Sequence, residues 1–410
     1  MSELKCRFCS SPLRESLADL GMAPLSNAYL SQTDLQSAEM FYPLHAFVCS
    51  TCRLAQLPEL ETPENIFSDY AYFSSYSDSW LAHCRKYVEQ ICARRDLSPL
   101  SQVVELASND GYLLQYFKQR GIPILGVEPA ANVAAVAESK GVPTLVRFFG
   151  TETAKAMCAD GKSADLLVAN NVLAHVPDLN DFVEGIRMVL KPKGIATLEF
   201  PHLQNLLEQH QFDTIYHEHF SYFSLLTARR IFKAHGLRIF DVDELPTHGG
   251  SLRIYVCHTD SIEPETDAVI KLEQREIGLG YDTPAPYAHF HKQVQKVKRD
   301  LLRFLIDARE SGKTVAGYGA PAKGNTLLNY CGIRADLLAF TVDISPHKAG
   351  RFLPGTHIPI YSPDRLRDVK PDYVLILPWN LKDEIVRQMA DVRSWGGQFV
   401  VPIPQVEILS

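Results

Sequence analysis

The sequence has no apolar run approaching the roughly 18 residues of a membrane-crossing helix. Its start, Met1-Ser-Glu-Leu-Lys, lacks the basic and apolar regions of a signal peptide. There is no basic excess either: 41 Lys and Arg stand against 48 Asp and Glu, a net charge of −7. Such a balance gives no general attraction for nucleic acid or an anionic membrane, though a local basic pocket is still allowed. Neither a nucleic acid, a membrane nor a protein partner is implied, and a cytoplasmic location is expected. Nine cysteines are too few for a disulfide scaffold in a chain of 410 residues. With 23 Gly and 25 Pro, long disordered arms and collagen-like repeats are also excluded. What remains is an ordinary globular composition whose length, at about 150 residues per domain, suggests two or three domains.

The spacing of the cysteines says more than their number. Cys84, Cys92, Cys158, Cys257 and Cys331 stand alone and read as small packing residues. The other four form two CxxC turns, Cys6-Arg-Phe-Cys9 and Cys49-Ser-Thr-Cys52. Two such turns can aim four thiolates at one point and close a tetrahedral site suited to structural zinc, with no position left for substrate. The spacer carries turn residues and a hairpin-like stretch at 42–48, consistent with a small ribbon that needs the metal. A redox dithiol would normally open a helix in a βαβ unit, and a nucleic-acid ribbon would carry a Lys/Arg stripe.

From Ser101 onward, short apolar runs alternate with helical segments, the pattern of a parallel sheet with crossover helices. Strands are expected at 103–106, 124–127, 144–147, 165–169 and 195–200, with helices at 112–120, 131–140, 181–190 and 227–235. Residues 191–194 read as a turn, and 237–242 with 251–258 as an antiparallel pair. This arrangement resembles the seven-stranded class I methyltransferase fold. Ligands of open α/β sheets sit beyond the carboxyl ends of the strands. There the sequence places the turn Ala107-Ser-Asn-Asp-Gly111, then Glu128, then Asn170 and His175. By that resemblance Ala107, Ser108, Asn109, Asp110, Gly111 and Asn170 border S-adenosylmethionine, and Glu128 accepts hydrogen bonds from its ribose. Ala107 stands where the fold usually has glycine. The G-x-G-x-x-G of a dinucleotide site is missing.

Between the fifth strand and the next helix lies Asp213-Thr-Ile-Tyr-His-Glu-His-Phe-Ser-Tyr-Phe-Ser224. A histidine near a carboxylate suits general base chemistry. A structural loop or a metal pair at His217 and His219 stays open, although the spacing is not the H-E-x-x-H of zinc hydrolases.

With these blocks the chain resembles the zinc-containing, S-adenosylmethionine-dependent C-methyltransferases of nucleotide-linked deoxysugar biosynthesis, the sugar C-3-methyltransferase group. The likeness rests on the CxxC pair, Asp69-Tyr-Ala-Tyr-Phe-Ser-Ser75, Glu105-Leu-Ala-Ser-Asn-Asp-Gly111, Asn170-Asn-Val-Leu-Ala-His-Val-Pro177, Ile-Tyr-His-Glu-His, His248-Gly-Gly250 and Gly317-Tyr-Gly-Ala-Pro-Ala-Lys323. It implies that Tyr72, His175, Tyr216, Glu218 and His219 surround a nucleotide-diphosphate 4-keto-sugar. His219 would be the base that forms an enolate, with Glu218 orienting or tuning it. O- or N-methylation of a nucleotide sugar, or a nucleotide-sugar binding protein or oxidoreductase, are the alternatives.

Residues 266–309 read as a helical linker with solvated charges. After it, Thr314-Val-Ala-Gly-Tyr-Gly-Ala-Pro-Ala-Lys-Gly-Asn325 follows a strand, glycine turn, helix pattern. That pattern suits an anion cradle with Lys323 adding charge, or close packing alone. No cofactor-binding acid is evident there. Strands at 338–342, 357–361, 373–377 and 398–401 would complete a smaller Rossmann-like sheet. His248, Gly249, Gly317, Gly319 and Lys323 are the candidate substrate-binding residues. The expected domains are a zinc-ribbon-like unit at 1–65, a methyltransferase unit with a helical lead-in at 66–262, and a linker with a C-terminal α/β unit at 263–410.

Overall fold

The computed structural model describes residues 3–62 and 74–409. The N-terminal segment supplies β1 (Glu15–Ala23), β2 (Tyr42–Val48) and β3 (Ala55–Gln56). The central segment supplies β4 (Val103–Leu106), β5 (Ile124–Val127), β6 (Thr144–Leu145), β7 (Ala164–Asn170), β8 (Leu190–Pro201), β9 (Ser221–Tyr222), β10 (Leu237–Leu245) and β11 (Ser251–His258). The C-terminal segment adds β12 (Val315–Tyr318), β13 (Thr341–Val342), β14 (Ile360–Tyr361), β15 (Tyr373–Ile376), β16 (Gln398–Val401) and β17 (Glu407–Leu409).

Three sheets result. The central one has seven strands in the order β10-β11-β8-β7-β4-β5-β6, with β4 to β8 parallel and β11 antiparallel to both of its neighbours. Its strands β4 and β7 are almost wholly buried, because helices cover both faces. The strand order reverses between β4 and β7, which opens a crevice beyond their carboxyl ends. The C-terminal sheet repeats the scheme in the order β14-β13-β12-β15-β16-β17, with its own reversal between β12 and β15. The expected layers are therefore present: a cysteine-bearing N-terminal unit, the seven-stranded sheet and a smaller α/β sheet.

Several local expectations shift for identifiable reasons. Asp178 caps the helix Leu179–Val189 by accepting from Asp181 N, and Ser224 caps Leu225–Ala234, so both helices begin two residues earlier than expected. The turn expected at 191–194 is an irregularity within β8, whose register against β7 breaks between the Ala164 and Leu166 partners. The helix Thr151–Ala159 was not expected. The linker charges are not all solvated. Glu276 is 0% exposed, pairs with His202 at 2.7 Å, and accepts from the free amides of Leu225 and Leu226 at a helix start.

The two-residue β9 leaves the central unit and pairs with β3, completing the N-terminal sheet β1-β2-β3-β9. The polar block at 213–219 thus runs directly into a strand held by the N-terminal unit. A linear division of the chain at residue 65 separates β9 from the sheet it completes.

Candidate functional site

The two cysteine turns have the same backbone. Ser10 N donates to Cys6 O, and Arg53 N to Cys49 O, at 2.9 and 3.0 Å. Ser10 and Arg53 are both left-handed. The thiols come together accordingly: Cys6 Sγ lies 3.6 Å from Cys52 Sγ, Cys9 Sγ lies 3.5 Å from Cys49 Sγ, and all four sulfurs are within 4.8 Å of one another. Tetrahedral thiolates about 2.3 Å from zinc would stand roughly 3.8 Å apart, so the set fits that ion closely. Gln56 Nε2 donates to Cys6 Sγ at 3.2 Å, support from the surrounding shell of the kind a thiolate attracts. Cys84, Cys92, Cys257 and Cys331 are buried singly, as expected, while Cys158 is half-buried.

At the carboxyl edge of the central sheet, the turn after β4 is left-handed at Ala107, Asn109 and Gly111 (φ 51°, 47° and 76°). Ala107 therefore adopts the conformation that explains the usual glycine, at a cost of about 1–2 kcal/mol. Gly111 suits glycine on two counts, its left-handed φ and the 3.0 Å at which a Cβ would meet Val142 Cγ2. Glu128 accepts from Asn109 N through Oε2 and from Ala130 N through Oε1, both at 2.9 Å, and burial raises its pKa. Asp110 pairs with Lys140 at 3.1 Å. Ser108 Oγ, Asp110 Oδ1 and both side-chain polar atoms of Asn170 are buried without partners. Buried polar atoms are normally satisfied, and this unsatisfied row fits a polar ligand such as S-adenosylmethionine.

Beyond the crevice stands the polar block. His219 lies between two groups: its Nδ1 is 2.8 Å from Thr214 O, and its Nε2 is 2.8 Å from Tyr216 Oη. A carbonyl can only accept, so Nδ1 carries the hydrogen. Burial, with help from His175, His248 and Lys323, holds the imidazole pKa well below its ordinary value. The ring is therefore neutral, with Nε2 unprotonated and accepting. His175 packs edge-on at 4.7 Å between centroids, hydrogen-bonds the Glu218 backbone, and is lowered by burial to about 4. His248, also lowered by burial to about 4, accepts from Asn171 Nδ2 at 3.2 Å. Both Asn171 and His248 are left-handed at φ 56° and 55°, strain that concentrates beside functional crevices.

Glu218 does not do what its neighbourhood in sequence suggests. Its Oε1 accepts from Asn27 Nδ2 at 2.6 Å, a residue of the N-terminal unit, and His219 takes both its hydrogen bonds elsewhere. Burial raises the Glu218 carboxyl to about 7. The metal-pair reading of His217 and His219 finds no support either. His217 Nε2 lies 3.2 Å from Pro43 O, and among the described residues the four cysteines are the group able to hold a metal. Tyr72 lies outside the described residues.

The C-terminal residues come to the same place with different contacts. Lys323 donates to Asn380 Oδ1 at 2.9 Å and lies 4.8 Å from the Trp379 ring centre. A Cβ on Gly319 (φ 89°) would meet Pro378 at 2.5 Å, one on Gly317 would meet Thr341 at 2.7 Å, and one on Gly249 would meet Trp379 at 2.6 Å. These glycines permit close packing. The sequence reading also missed an acid at the end of β13: Asp343 accepts from Ala320 N at 2.7 Å, as Glu128 does from Asn109 N. The rule that ligands gather beyond strand ends would have found it. Asn27 and Trp379 carried no such signal. A groove of about 710 Å3 lined by residues including Lys86, Arg253, Lys271 and Arg275 contains none of the predicted site residues.

The seven-stranded order with its antiparallel seventh strand, the left-handed turn after β4 and the acid after β5 define an S-adenosylmethionine-dependent methyltransferase of class I. Comparison with known proteins narrows this. The chain matches the family models "C-methyltransferase C-terminal domain" at residues 246–404, "Putative zinc binding domain" at 6–67 and "Methyltransferase domain" at 79–242. It is 35% identical over 406 residues to the C-methyltransferase NovU of Streptomyces niveus, covering 99% of this chain and 97% of the relative. A ubiquinone biosynthesis O-methyltransferase of Bartonella tribocorum is 26% identical over 30% of this chain and 53% of its own length. Among solved structures, a magnesium protoporphyrin IX methyltransferase from Synechocystis PCC 6803 covers 43% of this chain and 82% of its own at 14% identity, with a TM-score of 0.35. The chain belongs to the C-methyltransferase family: it is an S-adenosylmethionine-dependent, zinc-binding C-methyltransferase.

Proposed function

We propose that the enzyme methylates a carbon beside the ketone of a nucleotide-diphosphate-linked 4-keto-deoxysugar, with His219 as the base. The observation that carries this reading is the neutral imidazole whose Nδ1–H is tied to Thr214 O, so that Nε2 carries the lone pair and faces the Tyr216 hydroxyl. A ketone acidifies the adjacent C–H. Nε2 takes that proton as the C–H bond breaks, and the electron pair moves onto the carbonyl oxygen as an enolate. Asn109, Glu128 and Asn170 would hold S-adenosylmethionine, with Ala107, Ser108, Asp110 and Gly111 shaping the turn, and the bound donor would supply an electrophilic methyl group to the enolate carbon, its sulfur keeping the electron pair of the broken bond as a thioether.

Tyr216, His175 and Tyr72 are assigned to placing the sugar and stabilising the enolate oxygen, and Glu218 to the substrate side of the crevice. Positioned proton transfer contributes about 10²- to 10⁴-fold, and stabilisation of the oxyanion roughly 10²- to 10³-fold per donor. His248, Gly249, Gly317, Gly319 and Lys323 border the cleft in which the nucleotide part is proposed to lie.

The test is product mass spectrometry with a labelled methyl donor over a panel of nucleotide-linked 4-keto-sugars. It is combined with solvent deuterium exchange beside the ketone. Label on carbon and exchange that needs His219 are expected. Label on a hydroxyl or amine, without exchange, would replace this reading with the O- or N-methyltransferase one.

A further inference from the structure

Asp213 is 0% exposed, yet among the described residues no cation is in hydrogen-bond contact with it. Its Oδ2 accepts from Trp379 Nε1 at 2.7 Å, a contact that joins the central unit to the loop after β15. Burial is the largest influence on its carboxyl, with Lys323 the charge acting on it and the backbone amides of Asp213 and Thr214 hydrogen-bonded to it. Two residues on, Ile215 O accepts from Thr326 Oγ1 at 3.3 Å, on the C-terminal helix Ala322–Cys331. Both contacts therefore bracket Thr214, whose carbonyl holds Nδ1 of His219 at 2.8 Å. Trp379 and Asn380 follow β15, and Pro321 to Lys323 follow β12, so both contacts are made by segments that leave the two strands flanking the strand-order reversal of the C-terminal sheet.

We propose that the C-terminal domain sets the tautomer and aim of His219, with Asp213 and Trp379 as positioning residues that act through the Thr214 carbonyl. This rests on the assignment of His219 as the base. A short segment pinned at both ends leaves its middle carbonyl little freedom. Release of either pin lets the carbonyl rotate and the imidazole exchange tautomers. A displacement of about 1 Å at a reacting group can cost on the order of 10²-fold in rate.

The experiment compares Trp379→Phe, which keeps the ring beneath Lys323 but removes the indole donor, with Asp213→Ala, Asp213→Asn and His219→Asn in the full-length zinc-loaded enzyme. Trp379→Phe and Asp213→Ala should lower kcat about 10- to 100-fold, with KM for both substrates held within about twofold. Asp213→Asn, whose amide oxygen can still accept from the indole, should recover most of that loss. Histidine-¹⁵N spectra should show Nδ1–H at residue 219 in the wild type and a mixture of tautomers in Asp213→Ala. Thermal melting identifies any variant that fails to fold, and Trp379→Phe then carries the test. Wild-type kcat and an unchanged tautomer in Trp379→Phe, beside an inactive His219→Asn, would overturn the positioning role alone. An active His219→Asn would instead overturn the assignment of the base.

Discussion

The hydroxyl of Tyr216 lies 2.8 Å from Nε2 of His219, with the two rings tilted by 33° and their centroids 4.0 Å apart. Because Nδ1 holds the ring hydrogen, the phenol must be the donor. The lone pair proposed to take the substrate proton is therefore occupied by Tyr216 in the resting enzyme. Substrate must displace that contact, and the freed hydroxyl is then near the carbon acid and able to donate to the developing enolate.

Tyr216→Phe removes the donor without emptying the site. The rate of methyl transfer should fall about 10²-fold, the usual loss for one oxyanion donor, while deuterium exchange beside the ketone continues at a reduced rate. Steady-state kinetics and proton spectra of substrate in deuterated buffer measure the two separately. Unchanged methyl transfer would remove Tyr216 from the reaction.

Stability should respond to pH in two opposing ways. Burial lowers His175 and His248 to about 4 and His219 well below its ordinary value, whereas in the unfolded chain all three titrate near about 6.5. Their contribution is full above that value and is lost as pH falls toward 4. Burial raises Glu218 to about 7 and Asp213 to about 6, so theirs is present below the ordinary carboxyl pKa and lost as pH rises through 6 and 7. Urea melts of His248→Gln should thus lose less stability than wild type between pH 7 and 5, and Glu218→Gln should lose less on the way up. Curves parallel to wild type would show that these side chains are solvated.

Glu128 makes its two hydrogen bonds to backbone of the turn and of the next helix, not to another charge. Glu128→Ala should weaken S-adenosylmethionine binding about 10- to 100-fold, the order expected for losing a charge-assisted pair of ribose bonds. Calorimetry with the methyl donor alone reads this directly. Undiminished affinity would place the ribose elsewhere.

Metal content should be close to one zinc per chain. Cys49→Ser or prolonged chelation should lower the melting temperature and also reduce methyl transfer, because β3 pairs with β9 and Asn27 bonds Glu218. Elemental analysis with activity before and after chelation checks both. Full activity in a metal-free enzyme would show that the N-terminal unit does not support the crevice.

The parts legible from sequence are those fixed by local chemistry. Paired CxxC turns, β-rich apolar runs and an acid one strand after a left-handed turn each carry their meaning within a few residues. Contacts whose partner is distant in the chain could not be read from it. Glu218 sits beside His219 in sequence but bonds Asn27, 191 positions away, and Asp213 bonds Trp379, 166 positions away. Glu276 appeared to be one more solvated linker charge until packing placed it over the start of another helix. Lys323 follows a glycine turn in sequence, and only packing sets its ammonium against Asn380 Oδ1 and the Trp379 ring.

The succession of strands along the chain, the four thiols and the histidine-rich block were determined by the sequence alone, since hydrophobic period, turn chemistry and ligand spacing act over short stretches of chain. Which carbonyl holds His219, which amide holds Glu218, and which indole holds Asp213 were decided only by the tertiary structure. Those contacts form when separate sheets pack, and a buried polar atom takes whichever partner that packing brings within about 3 Å.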